Sequence, residues 1–283
     1  MDKIKIKVMH TGMVRIRPEL AFGGDHCSIV KAAGIFHPNK GRQWFPVSSI
    51  YVDHPKGKFV IDTGWDRSMS PQGTYDKKAQ IKSLGSSWLW RVNQGMVPMG
   101  RTATEQLAKM GIEPQDIDYV LVTHLDCDHA NGINQFKGAK HIMASKPEIA
   151  DVYHSKMHSI RFAPQWWNQV NLEGFDWNDN QGPFGRSYDL FGDGSVELIN
   201  IPGHTDGLFA VKIKNDEGKF WLFVSDGAYG HKSWQQMITS GISLNKKEQK
   251  KSLTWIRQQS LDPNCVEVMA NHDQEVKPHE VVL

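Results

Sequence analysis

The sequence predicts an α/β protein. Three observations carry that prediction: short β-rich runs interleave with helical patterns, two hairpins of similar design recur, and His and Asp gather where strands should end. With 283 residues the chain can build a sizeable core without disulfide or structural-metal staples.

The N-terminal "MDKIKIKVMHTG" alternates charged and apolar residues, with Ile4, Ile6 and Val8 on one face, as an opening strand does. It lacks the apolar centre of a signal peptide. Residues 48–64, "SSIYVDHPKGKFVIDTG", read as a hairpin about a Pro-Lys-Gly turn. Residues 101–114, "RTATEQLAKMGIEP", read as a helix: Thr102 and Glu105 have capping-box spacing, Gly111 sits at the stop and Pro114 follows. "DYVLVTH" and "AKHIMAS" (139–145) are further strands. Residues 209–227, "FAVKIKNDEGKFWLFVSDG", repeat the hairpin design. Both second strands begin with Gly-Lys-Phe and reach an aspartate, Asp62 or Asp226, followed by a small residue or Gly, a weak internal duplication that suits two similar halves face to face. A helix at 246–260 and a strand at 265–270 close the pattern. The densest basic run, "NKKEQKK" (245–251), reads as a solvated helix face.

Residues 65–100 and 147–190 resist the pattern. They are rich in Trp, Gly, Asn and Gln and show no sustained periodicity; the second carries Trp166, Trp167, Phe175, Trp177 and Phe184. Aromatics at that density favour an ordered lid, a peripheral subcore or a dimer contact over disorder.

Bulk properties narrow the function classes. Lys plus Arg number 33 against 31 Asp plus Glu, which argues against a dedicated nucleic-acid binder. No 18-residue apolar stretch exists, so no membrane span is expected. Cys27, Cys127 and Cys265 are far apart, odd in number and without a CxxC pair. That usage fits a reducing compartment, and the cytoplasm is the expected location.

The chemistry concentrates in "VLVTHLDCDHANG" (120–132), where His124, Asp126, Asp128 and His129 fall within six positions after an apolar run. In a loop leaving a strand, neighbouring side chains are free to converge on one ion. Imidazole with carboxylate suits zinc, iron or manganese, and the absence of paired thiolates argues against a structural zinc finger. Downstream, His204 in "LINIPGHTDG", Asp226 in "LFVSDGAYG" and His272 in "VMANHDQE" share a position at strand ends. In α/β folds ligands gather at that rim.

In this order, these stretches resemble the metallo-β-lactamase superfamily, and within it most of all the N-acyl homoserine lactonase group. The resemblance covers most of the chain except the two aromatic insertions. It implies a single domain over residues 1–283: an αββα sandwich, two mixed β-sheets flanked by helices, with a dinuclear site at one edge. Carried over by position, one metal would take His124, residue 126 and His204. The other would take Asp128, His129 and His272, with Asp226 bridging and Asp62 supporting a ligand.

The family pattern is HxHxDH, and here Asp126 stands at the middle histidine. In the family that ligand binds through Nδ1, two bonds from Cβ, and an aspartate oxygen is also two bonds from Cβ, so the reach is kept. The charge is not: a loaded centre would carry about zero net charge where a histidine would leave about +1. The implied cofactors are therefore two divalent ions, zinc foremost, with iron or manganese admitted by the harder Asp126 oxygen.

The implied activity is hydrolysis of a lactone or other carboxylic ester, as in quorum quenching, by a hydroxide held between the metals. Asp128 would pass a proton to the departing alkoxide and Tyr229 would donate to the developing oxyanion or the substrate. Trp166, Trp167 and Trp177 are expected to wall an acyl chain. The partner is a small molecule, with neither nucleic acid nor membrane; a homodimer, as several family members form, would suit the aromatics. The same scaffold also serves thioesterases, β-lactamases and phosphodiesterases. Outside hydrolysis, a di-iron redox protein and an inactive metal-binding scaffold are the alternatives.

Overall fold

The N-terminal alternation becomes a long strand in the computed structural model, which describes residues 3–34, 41–154 and 161–283. This strand, β1 (Lys5–Ile16), runs antiparallel to β2 (Gln43–His54) along nearly its whole length, with a register shift between His10 and Gly12. Gly12 (φ 136°) makes that bulge feasible, because a Cβ there would fall 2.7 Å from the Met96 carbonyl oxygen. Beyond the bulge β1 also accepts β4 (Gln94–Met96).

The first sheet continues from β2 through β3 (Gly57–Ile61), β5 (Tyr119–Leu121), β6 (His141–Ser145) and β7 (Leu172–Phe175), and β13 (Glu280–Val282) closes its other edge on β1. The strand pairs β3–β5, β5–β6 and β6–β7 are parallel. The second sheet runs β12 (Cys265–Ala270), β11 (Phe220–Ser225), β10 (Phe209–Lys214), β9 (Val196–Asn200) and β8 (Ser187–Asp189). All its pairings are antiparallel except β11–β12. The two hairpins read in the sequence are β2–β3 and β10–β11, one in each sheet.

Alternation within these strands builds the layers. Phe59 and Ile61 of β3 face Trp221 and Phe223 of β11 in a core between the sheets, and Ile6, Ile50, Phe209 and Val211 join them. The intervening Val60 turns outward to the helical layer on the first sheet. Leu222 and Val224 turn outward to Leu253 and Ile256 of the helix Lys246–Ser260. Each fully buried Phe, Leu or Ile contributes about 1.5–3 kcal/mol. The order is helix, sheet, sheet, helix, as the resemblance implied.

That last helix has the expected bounds. Asn245 caps it by accepting from the Glu248 N–H, and Lys247, Lys250 and Lys251 lie on its exposed side. The capping box at Thr102 and Glu105 is complete in both directions and starts the helix Ala103–Ala108.

The insertions are more regular than expected. Residues 65–100 hold the helices Lys77–Leu84 and Ser87–Val92 and strand β4, with Trp65, Met69 and Leu84 fully buried. They are a subcore rather than a lid. Residues 147–190 take most of the helix Lys146–His154 and give one strand to each sheet, β7 and β8; positions 155–160 lie outside the described residues. Among the described residues no helix is long and apolar enough to cross a membrane.

Candidate metal centre

Strand direction gathers the site. Because β9 and β11 are both antiparallel to β10, and β12 is parallel to β11, these three strands end at one rim of the second sheet. Each is followed there by a ligand candidate: His204 after β9, Asp226 after β11, His272 after β12. Parallel β3 and β5 likewise end together, followed by Asp62 and by the 124–129 cluster. In the cluster, residues 122–126 are extended or bent and the short helix Cys127–Ala130 then turns Asp128 and His129 inward. The His204 turn is pressed onto the helix Lys246–Ser260: a Cβ on Gly203 (φ 133°) would fall 2.4 Å from the Gln249 backbone.

Two buried triads result, His124 with His204 and Asp226, and Asp128 with His129 and His272. Asp226 joins them. Its Oδ2 lies 3.6 Å from His204 Nε2 and 4.0 Å from His124 Nε2, while its Oδ1 lies 3.4 Å from His129 Nε2 and 3.2 Å from His272 Nε2. Asp128 completes the second triad with Oδ2 at 3.3 Å from His272 Nε2. Ligand atoms at about 2.1 Å from an ion in tetrahedral array stand about 3.4 Å from one another. His124 Nε2, His129 Nε2 and Asp226 Oδ1 are buried without a hydrogen-bond partner among the described residues. Orphaned acceptors at this spacing fit a pair of divalent ions.

Surrounding groups choose the nitrogen that two of the rings turn to the centre. His129 Nδ1 is 2.8 Å from Asp62 Oδ2, and His272 Nδ1 is 2.7 Å from the Pro46 carbonyl; both contacts leave Nε2 for the centre. Asp62 is itself fixed by the Thr123 N–H and hydroxyl and by the Ser225 hydroxyl. Asp62 (φ 55°) and Ser225 (φ 46°) both adopt left-handed backbone at the ends of sister strands. For a residue with a Cβ this costs on the order of 1 kcal/mol, and it occurs here where side chains must turn into the site.

The protein's own charges are polarised. Burial pushes the His124 imidazole down to about 4, aided by His129. Burial opposes ionisation of Asp226, but His272 and His129 outweigh it and hold the carboxylate well below its usual range. Asp128 is raised, chiefly by burial. Tyr229 is buried over the centre, its ring stacked on His272 at 5.2 Å, and burial with the nearby Asp226 holds its phenol protonated.

A model of the metallo-β-lactamase superfamily matches residues 42–222. The chain belongs to the metallo-β-lactamase superfamily. Similar relatives include the N-acyl homoserine lactonase AttM of Rhizobium radiobacter, 24% identical over 242 residues and covering 81% of this chain and 82% of that protein. The N-acyl homoserine lactonase AiiB of Agrobacterium fabrum is 22% identical over 246 residues, with 81% and 83% covered. Among solved structures, a B. thuringiensis AiiA variant with N-decanoyl-L-homoserine at its active site shares the fold, with a TM-score of 0.73 at 16% identity over 97% of this chain and 95% of that one.

Against the superfamily's HxHxDH pattern, Asp126 has a partner that no local motif announces. The Arg161 guanidinium grips it bidentately, Nε to Oδ1 and Nη2 to Oδ2 at 2.7 Å. Asp126 Oδ2 lies beside the first triad, 2.9 Å from His204 Nε2 and 3.6 Å from His124 Nε2. Burial favours the neutral acid, yet Arg161 prevails and holds the carboxylate well below its usual range. No motif in the sequence marks Glu148 either. It is fully buried, accepts from the Leu125 N–H at 2.9 Å, and burial raises it to about 7.

The expected aromatic wall is not where it was placed. Trp166 and Trp167 are buried at 2% and 7% exposure inside the core that also holds Tyr229, and the Trp166 indole donates to the Ser83 carbonyl. Trp177 is partly buried, packs edge-on to Phe175 at 5.3 Å against the core between the sheets, and is withdrawn from the wall. A cavity of about 80 Å³ beside Tyr229 and His272 is lined instead by Phe22, Phe45 and Lys232. A larger cavity, about 830 Å³, lies among the hairpin turns at the far ends of the strands, near Lys56 and Glu217, and touches none of the ligand candidates.

Proposed function

We propose that this member of the superfamily hydrolyses a lactone or another carboxylic ester, and that an N-acyl homoserine lactone is the substrate class to test first. The observation that carries the reading is the meeting of two buried His/Asp triads at Asp226 directly beneath Tyr229. The lactonase relatives and the acyl homoserine bound in the AiiA variant supply the substrate class.

His124, His204 and Asp226 would hold one ion and Asp128, His129 and His272 the other; zinc, iron and manganese all suit this donor set. Bound there, the metals supply Lewis acidity and a water activated for attack. Tyr229 keeps its proton and so can donate to a carbonyl oxygen as negative charge develops on it. Asp128 borders the centre and is the carboxylate that would carry a proton to the leaving alkoxide. Phe22 and Phe45 offer apolar surface to an acyl chain at the mouth.

A panel of lactone, thioester, β-lactam and phosphodiester substrates tests this reading. Lactones should turn over fastest, and Tyr229→Phe should lower kcat by about 100-fold with metal content unchanged. Faster cleavage of a thioester or phosphodiester would reassign the reaction.

A further inference from the structure

The position that departs from the superfamily pattern is also where a permanent positive charge enters the centre. Arg161 does more than neutralise Asp126. Its Nη2 also lies 3.3 Å from His204 Nε2, the atom through which His204 belongs to its triad. The guanidinium thus engages both oxygens of Asp126 and lies against the His204 imidazole at once, with its Cζ 5.5 Å from the Phe162 ring centre. Its side chain is 12% exposed, so little solvent screens it, and arginine does not give up its proton. The other half of the centre is different. Among the described residues Asp128 has ion-pair contacts only with His129 and His272.

We propose that the Asp126–Arg161 pair makes the centre asymmetric. The guanidinium serves as a resident cation at the His124/His204 half, so that half takes a divalent ion weakly, while the Asp128/His129/His272 half takes one tightly. The inference rests on the pocket being a metal centre, as proposed above, and goes further by ranking its halves. An ion entering the first half must reach His204 Nε2 against a like charge a few ångströms away, and must share with the guanidinium the Asp126 Oδ2, which lies 2.9 Å from that nitrogen and 3.6 Å from His124 Nε2. An alternative role for Arg161, orienting Asp126 as a ligand, predicts the opposite effect of removing it: the first half would then weaken.

That difference in sign is the test. The full chain is stripped of metal and brought to equilibrium with Zn²⁺ by dialysis, and bound metal is counted per chain. Arg161→Gln and Arg161→Met are both measured, with circular dichroism as the folding control, so that a folding defect in one leaves the other informative. The wild-type chain should bind one ion tightly and a second about 100-fold or more weakly, and either folded variant should bring the two within about tenfold. Two ions of matched affinity in the wild type, or loss of the second ion in the variants, would overturn the asymmetry. No bound ion in any of the three would overturn the metal-centre reading itself.

Discussion

Asp62 decides which nitrogen His129 presents. Its Oδ2 takes the Nδ1 side of the ring, and three donors from Thr123 and Ser225 hold the carboxylate in place. Asp62→Asn leaves volume and burial alone but weakens acceptance at that atom. Metal affinity should fall by about 10–100-fold while the circular dichroism spectrum stays unchanged, as equilibrium dialysis would read; unaltered affinity would mean packing alone orients the ring. At this scale the sequence was legible where chemistry is local. The His/Asp cluster and the three downstream residues were visible by type and by place at strand ends. Arg161 was not, because it lies 35 positions from Asp126 in a segment without periodicity. Glu148 was hidden for a related reason: at the start of a helix a glutamate is unremarkable, and only the fold buries it under Leu125.

Among the elements, β1 carries a histidine with no place in the centre. His10 is partly buried, its Nε2 is enclosed without a hydrogen-bond partner among the described residues, and burial with the charges of Arg101 and His279 pushes it from 6.5 down to about 4. Below pH 6.5 the unfolded chain takes up a proton that the folded chain refuses, so stability falls as pH drops toward 4. Melting at pH 7.5 and pH 5 should show that loss, and His10→Gln should reduce it; an equal drop in the variant would place the acid sensitivity elsewhere. Elements with long alternation or explicit caps were readable from the chain, as the 246–260 helix and the Thr102–Glu105 box show. β4, β7 and β8 were not, because three or four residues are too few for alternation to register. The helices at 77–84 and 87–92 do carry caps, Asp76 and Ser86, but flanking Trp and Gly masked them.

For the molecule as a whole, the centre straddles two sheets. His124, Asp128 and His129 follow the first sheet's β5, and His204, Asp226 and His272 follow strands of the second. Ions bound there tie both halves together and neutralise buried carboxylates. Chelation should therefore lower the melting temperature on the order of 5–10 °C, with recovery on adding metal back, as calorimetry would show. A melt indifferent to chelator would mean that the apo and loaded proteins are equally stable. The turns of the two hairpins lie at the opposite ends of the same strands, around the 830 Å³ cavity near Lys56 and Glu217. A surface tether or fluorescent label attached at Glu217 would consequently leave the working edge facing bulk liquid, which makes that turn the natural handle for immobilising the protein on a support.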